Sequence, residues 1–217
     1  MTHSGIEATA RLLGRYAWLE GWLFEALGAW AGAATPEPAA KPVLAAHAQH
    51  HAWHAQLWLE RLPQLPGVHA DDLVTPPSVE LAASLAALAG SRPGPGAGAV
   101  PGAGAVPGAG GGSAAATGTV ERLAAVYRVV VPRLVATYAD HRRLTSPLVD
   151  GPVVRAIELV LADEVRDWQA GEELIQSLLR TGKDVYRAAA SQSRLEAAFV
   201  SMGGLTGPGA RQPAGSS

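Results

Sequence analysis

Residues 42–62, PVLAAHAQHHAWHAQLWLERL, carry the pattern that decides the fold. Proline opens the segment, where the first turn of a helix tolerates it, and another proline follows at position 63. Viewed down a helix, the polar residues Gln49, Gln56 and Glu60 lie on one side. Four histidines fall within an arc of about 100° on the opposite, apolar side. These are His47, His50, His51 and His54.

Helical periodicity continues through most of the chain in both directions, and no period-two strand pattern competes with it. It predicts two helical hairpins, 5–62 and 119–181, joined by a long crossover with a short helix at 78–89. A fifth helix is predicted at 183–202. The expected fold is all-α, an up-down four-helix bundle with one long crossover and an additional C-terminal helix, forming a single domain over 1–202. Within the hairpins the predicted helices are 5–31, 42–62, 119–144 with a kink at Pro132, and 152–181.

Two segments differ from the helical remainder in composition. Residues 91–118 are rich in Gly, Pro and Ala and contain GAGAVP twice in tandem, at 96–101 and 102–107. Such a sequence supports neither helix nor strand, so a flexible linker is predicted there. Residues 203–217 are predicted to form a disordered tail.

Composition limits the kind of partner that the protein takes. Of its 217 residues 48% are hydrophobic, enough for a sizeable core. Its 17 Lys and Arg against 19 Asp and Glu give a net charge of -2, which argues against nucleic acid or an anionic membrane as partner. The chain has no cysteine, which excludes disulfides, iron–sulfur clusters and thiolate ligands. No signal peptide or membrane span is predicted, so a cytoplasmic protein is expected.

Acidic side chains are predicted on the inward faces of two helices. Glu20 lies in the middle of the apolar stripe of the first helix, and Glu164 lies at the centre of the stripe of the fourth. Asp167 lies one turn further, at the edge of that stripe. A buried carboxylate is costly unless it meets a cation, a metal ion or a proton. Four imidazoles facing such a carboxylate favour a metal site, and a hydrogen-bonded polar core is the alternative.

The spacing of these residues matches a known arrangement in part. Glu20 precedes the pair His51-x-x-His54 by 31 residues, HAQLW stands at 54–58, and Glu164-x-x-Asp167 follows the crossover. In this the chain resembles the ferritin-like di-iron carboxylate superfamily, in which two helices give one Glu each and two give a Glu-x-x-His pair. It departs from that pattern in three ways. His51 stands where the family has Glu, Asp167 where it has His, and no acid near Val131 supplies the third single Glu.

The resemblance implies a metal site and its cofactor. The implied ligands are Glu20, His51, His54, Glu164 and Asp167, with His47 and His50 as alternates. Iron, as one or two ions, is the expected metal, and manganese and zinc are the alternatives. Because imidazole replaces one carboxylate, the site is less negative than the family's, and a mononuclear site is as compatible with it as a dinuclear one.

Three functions agree with this ligand set. The first is a metal-dependent oxidoreductase or oxygenase acting on a small-molecule substrate, with Tyr127 or Tyr138 of the third helix supplying a proton or an electron. The second is metal binding without turnover, and the third is a metal-free helical scaffold that binds partners. A homodimer through the fifth helix is left open. A bundle that binds metal through three histidines, similar to the DinB-like family, is a further alternative and would use His141 with His51 or His54.

Overall fold

A computed structural model of the chain describes residues 3–90 and 118–205. Within these ranges there are helices and loops and no strand, apart from one isolated bridge between Leu65 and Val68. The fold is therefore all-α, as predicted. The helices are α1 (His3–Ala29), α2 (Ala40–Leu59), α3 (Ala70–Leu73), α4 (Val79–Ala89), α5 (Thr119–Ala125), α6 (Val131–Leu144), α7 (Pro147–Leu178) and α8 (Gly182–Ser201).

The predicted kink at Pro132 takes the form of a π-helical turn, Val126–Val130, between α5 and α6. A proline lacks an amide hydrogen, and its ring collides with the carbonyl four residues earlier, so the regular ladder cannot continue through it. The amide of Val131 instead donates to the carbonyl of Val126, five residues back. The third helix thus continues in one direction, but its α-helical hydrogen bonding is interrupted by the π-helical turn.

Several boundaries differ from the predicted ones. α1 passes into a second π-helical turn, Trp30–Ala34, and α2 ends at Leu59 rather than 62. α7 begins at Pro147, ahead of the predicted start at Pro152, and Asp150 within this added turn is not helical. Proline at position 152 disrupts the helix before it without preventing a turn from forming there.

The short helix α3 was not predicted. It rests on α1 at Gly14, where a Cβ atom would lie 2.0 Å from the carbonyl oxygen of Leu73. Most of the predicted linker, 91–117, and residues 206–217 of the predicted tail lie outside the described residues. Of the tail's first residues, Leu205 is buried in the core, so the chain still packs on the helices at that point.

Contacts along α1 and α2 show that these two helices are antiparallel. Tyr16, in the first half of α1, packs against Trp58 near the end of α2. Glu20, further along α1, contacts His51, which lies earlier in α2. In the second hairpin, Arg142 pairs with Glu158 and Arg128 with Glu172, so α6 and α7 are antiparallel too.

The two hairpins meet with α2 and the α5–α6 helix running in the same direction. Tyr127 bonds His47 near the start of α2, and Tyr138 stacks on Trp58 near its end. The chain must therefore return along the length of the molecule between α2 and α5. The segment that contains α3 and α4 makes this return, and α4 packs against α5 and α8 on the way.

α8 lies along α5 and α6, where Arg187 pairs with Glu121 and Arg133 with Glu196. Its inward face carries Leu195 and Phe199 into the core. Val185, near the start of the same helix, is half exposed. No helix in the described ranges is long and apolar enough to cross a membrane.

Candidate metal centre

Four ionisable side chains meet in the core where α1, α2 and α7 face one another. We call them the inner cluster, and they comprise Glu20, His51, His54 and Glu164. All four are fully buried. One ligand atom from each can be chosen so that all four atoms lie within 4.8 Å of one another.

The distances within the inner cluster are close to those of a coordination sphere. Glu20 Oε2 lies 2.6 Å from His51 Nδ1 and 3.6 Å from His54 Nδ1. Glu164 Oε1 lies 3.2 Å from His51 Nδ1 and 3.1 Å from His54 Nδ1. Ligand atoms placed 2.0–2.1 Å from a tetrahedral metal are separated by about 3.4 Å. The cluster therefore needs small adjustments, rather than rearrangement of the helices, to hold an ion.

Two atoms of the inner cluster have no partner. Oε2 of Glu164 and Nε2 of His51 are buried, and no group in the described parts of the chain hydrogen-bonds to them. A buried polar atom left unpaired costs about 1–3 kcal/mol. Oε2 of Glu164 is thus available as a further ligand oxygen, and the donor set of imidazoles and carboxylates fits a divalent transition metal.

Surrounding side chains hold the inner cluster in place. The hydroxyl of Tyr138 on α6 donates to Glu20 Oε1 at 2.5 Å. Nε2 of His54 lies 3.5 Å from Asp163 Oδ2, and Asp163 in turn pairs with Arg166. Carboxylates and hydroxyls in such positions orient metal ligands and fix the tautomer of a histidine. Sequence reasoning missed Asp163, and the only signal for it was an acid directly before Glu164.

The α5–α6 helix carries buried tyrosines on either side of position 131, where the resemblance implied an acid. Val131 is buried, and its side chain has no polar atom that could bind a metal. Tyr127 and Tyr138 face inward on either side of it. Both aromatic rings are fully buried. The inner cluster consequently draws its ligand atoms from three helices and receives a hydrogen bond from the fourth.

Electrostatics within the inner cluster favour its charged forms. Burial alone would lower the pKa of His51, but Glu164 and Glu20 outweigh it and raise that pKa to about 10. Burial also lowers the pKa of His54, but the charges of Glu20 and Glu164 outweigh it and raise that pKa to about 10. Burial raises the pKa of Glu20, yet His54 and His51 outweigh it and lower the pKa to about 2. A metal ion that binds here must therefore replace protons on the imidazoles.

The remaining predicted ligands form a second group, which we call the outer cluster: His47, His50 and Asp167. Nδ1 of His50 lies 2.9 Å from Asp167 Oδ2, and Nε2 of His47 lies 3.4 Å from Asp167 Oδ1. Asp167 and His47 are buried, whereas the side chain of His50 is 43% exposed. Asp167, which the sequence placed at the edge of the apolar stripe of its helix, is thus buried. It lies outside the inner cluster.

Tyr127 ties the outer cluster to the third helix. Its hydroxyl and Nδ1 of His47 are joined by a hydrogen bond of 2.7 Å. The ring lies directly against Gly171 of α7, where a Cβ atom would come within 2.2 Å of Tyr127 Cδ1. Burial lowers the pKa of His47, so this imidazole stays neutral under conditions in which His51 is charged.

Two further residues lie outside both clusters. His141 bonds Tyr16, 3.3 Å from its hydroxyl, so it does not join His51 or His54 as the three-histidine alternative required. Trp168 is 38% exposed and lines a surface groove with Arg128 and Glu172.

No protein-family model matches the chain, and comparisons with curated proteins and with solved structures found no match. The resemblance seen in the sequence therefore gains no support from relatives.

Proposed function

We propose that the protein binds one divalent transition metal ion in the inner cluster of a ferritin-like four-helix bundle. The observation that carries this proposal is the convergence of two imidazole nitrogens and two carboxylate oxygens in a fully buried position. Two carboxylates balance the charge of a divalent ion when both imidazoles are neutral. Iron(II) is favoured for such a nitrogen and oxygen donor set, and manganese(II) and zinc(II) are the alternatives.

The competing explanation is a metal-free network of ion pairs. Buried ion pairs stabilise a protein weakly, because removing both charges from water costs about as much as their attraction returns. They persist when every lone pair is satisfied, and Oε2 of Glu164 is not. A bound ion accounts for both the convergence of the four side chains and that unpaired oxygen.

One ion agrees with the inner cluster better than two. A dinuclear centre of the ferritin-like kind takes a carboxylate from each of four helices. Here α6 offers the hydroxyl of Tyr138 in place of a carboxylate. His51, which stands where that family has a Glu, leaves the cluster with Glu20 and Glu164 as its carboxylates.

The course of the chain supports the bundle assignment. α2 and the α5–α6 helix are parallel while each hairpin is antiparallel, as the contacts His47–Tyr127 and Arg128–Glu172 indicate. A long connection between the two hairpins is the feature that separates ferritin-like bundles from simple up-down bundles.

A metal-dependent oxidoreductase is the second candidate function. Its support is Tyr138, which donates to Glu20 and packs edge-on against Tyr16 with ring centroids 4.8 Å apart. When bound, iron would supply one-electron chemistry. Tyr138 would then hold a proton beside the metal ligand Glu20, and burial raises its pKa well above the ordinary value, so it stays protonated.

Elemental analysis of untagged protein, loaded anaerobically with Fe(II) and desalted, tests the first candidate. We expect about one ion per chain, lost in a Glu20→Gln/Glu164→Gln variant that keeps the shape of both side chains. His69→Gln, at an exposed position on the N-terminal side of α3, is the matched control and should keep the ion. Equal metal content in parent and double variant would overturn the proposal. Oxygen consumption by the iron-loaded parent, absent from the double variant, would support the oxidoreductase.

A further inference from the structure

The inner cluster has no exposed atom through which an ion would meet it first. Its four members are fully buried, whereas the outer cluster begins at His50, whose side chain is 43% exposed. His50 is therefore the solvent-exposed end of the outer cluster.

The outer cluster repeats the inner one at a distance of about one helical turn. His47 precedes His51 by four residues and His50 precedes His54 by four, both on α2. On α7, Asp167 follows Glu164 by three residues. Side chains three or four positions apart on a helix are neighbours, with Cβ atoms about 5–6 Å apart. Each outer donor is thus adjacent to an inner donor on the same helix.

The outer donors also share one carboxylate. Oδ1 of Asp167 lies 3.1 Å from His50 Nδ1 and 3.4 Å from His47 Nε2. Two imidazoles and one carboxylate form a donor set that divalent transition metals accept. Asp163 on the same helix pairs with Arg166, whereas in the described parts of the chain the ion-pair partners of Asp167 are these two imidazoles.

Tyr127 holds His47 in the orientation that this arrangement needs. Its hydrogen bond to Nδ1 turns Nε2 of the ring toward Asp167. A partner on one nitrogen of a histidine is the usual means of aiming the other nitrogen at a metal. The ring of Tyr127 is itself fixed by its contact with Gly171.

We propose that His47, His50 and Asp167 form a metal-uptake site, which takes a divalent ion from solvent and passes it to the inner cluster. This rests on the proposed function, because the inner cluster is the destination. The outer site has one carboxylate and the inner site has two, so the outer site should bind a divalent cation less tightly. An ion held there can exchange its ligands one at a time, His47 for His51 and Asp167 for Glu164, across one turn of each helix.

The rate at which the protein takes up cobalt(II) tests this proposal. Stopped-flow absorbance follows Co(II) binding to metal-free protein, and elemental analysis after overnight incubation gives the final content. In His50→Gln and Asp167→Asn, each retaining the size of the side chain, we expect loading to slow by about tenfold, the scale of second-sphere effects on metal sites. The final content should equal that of the parent. His69→Gln, an exposed histidine away from both clusters, should change neither quantity.

The outcomes separate this inference from the proposed function. If the parent binds no Co(II) at equilibrium, the inner site fails and the uptake site falls with it. If the parent binds Co(II) and both outer variants load at the parent's rate, the uptake site is overturned while the inner site stands. If both variants lose the final content with an unchanged far-UV circular dichroism spectrum, the outer residues hold the resident ion and the division of roles proposed here is wrong.

Discussion

The inner and outer clusters use the same kinds of side chain and share the helices α2 and α7, yet they differ in depth and charge. The inner cluster sets Glu20 and Glu164 against two imidazoles, and all of it is buried. The outer cluster sets Asp167 alone against two imidazoles and opens to solvent at His50. Under the two proposals, a second carboxylate and burial from solvent are what would make the inner cluster retain an ion and the outer cluster exchange it.

That difference first predicts unequal costs when a carboxylate is removed. Glu164→Ala leaves charged imidazoles buried without their partner, and we expect the metal-free protein to lose about 3–5 kcal/mol of unfolding free energy. Asp167→Ala removes the partner of a neutral His47 and a half-exposed His50, so a loss of about 1–3 kcal/mol is expected. Urea unfolding of both variants, with His69→Ala as control, measures the gap. Equal losses would mean that the two clusters are equally charged.

The second prediction concerns pH, where the buried histidines of the two clusters should act with opposite sign. The pKa values of His51 and His54 rise from 6.5 in the unfolded chain to about 10, so their contribution is complete below pH 6.5 and is lost as pH rises toward 10. The pKa of Glu20 falls from 4.5 to about 2, so its contribution is complete above pH 4.5 and is lost as pH falls toward 2. Burial lowers the pKa of His47 below 6.5, so the contribution of this one residue is lost as pH falls below that value.

Stability curves of the metal-free protein and two variants check these signs. Subtracting the curve of His51→Gln/His54→Gln from that of the parent should leave a difference that shrinks between pH 6.5 and 10. For His47→Gln the difference should shrink on the acid side instead. A difference for the inner variant that grows above pH 6.5 would show that its histidines are neutral in the folded protein.

Third, a methyl group at Gly171 should disturb the outer cluster and spare the inner one. The added Cβ would meet the ring of Tyr127 at 2.2 Å, and overpacking of this kind costs about 1–3 kcal/mol. Gly21→Ala is the matched control, because nothing lies within 4 Å of its Cβ, and alanine there should stabilise α1 by about 0.5–1 kcal/mol. Cobalt(II) loading of Gly171→Ala should slow while the final content stays at the parent's value. A fast-loading Gly171→Ala protein would remove Tyr127 from the uptake route.

Sequence reasoning reached the helices and the inward faces because both depend on local periodicity. Glu20, His51, His54 and Glu164 are buried where the apolar stripes of their helices indicated. The predicted start of the fourth helix at Pro152 was less accurate. A proline indicates a break in a helix, but it does not indicate whether a helical turn precedes it. The position of each apolar stripe follows from the local order of residues. A carboxylate within such a stripe must meet a cation, a metal ion or a proton, and this too is evident from the sequence.

The depth and pairing of single side chains could not be read from periodicity. Asp167 lies at the edge of its stripe, and its burial depends on how closely α2 covers that edge. Asp163 lies off the stripe and reaches His54 through its own rotamer. Trp168 lies at the boundary between the core and the surface groove, and a helical wheel does not indicate how deeply a side chain at such a boundary is buried. These are properties of pairs of helices, and a single helix carries no signal for them.

The fourth and smallest difference is between two tyrosine hydroxyls. Tyr138 donates to the carboxylate of Glu20, and a hydrogen bond to a charged group contributes about 1.5–3 kcal/mol. Tyr127 bonds the neutral His47, for which about 0.5–1.5 kcal/mol is expected. Tyr138→Phe should therefore destabilise the metal-free protein by about 1 kcal/mol more than Tyr127→Phe does.

Metal binding should divide the same two variants more clearly than stability does. Tyr138→Phe should weaken Co(II) affinity by about tenfold, because it frees a carboxylate that holds the ion, and should leave the loading rate close to the parent's. Tyr127→Phe should slow loading and leave the affinity unchanged, because it releases His47 without touching the inner cluster. Competition with a chelator of known affinity gives the first quantity, and stopped-flow absorbance gives the second. If both substitutions weakened the affinity equally, the clusters would act as one site, and the contrast in depth and charge between them would have no counterpart in metal binding.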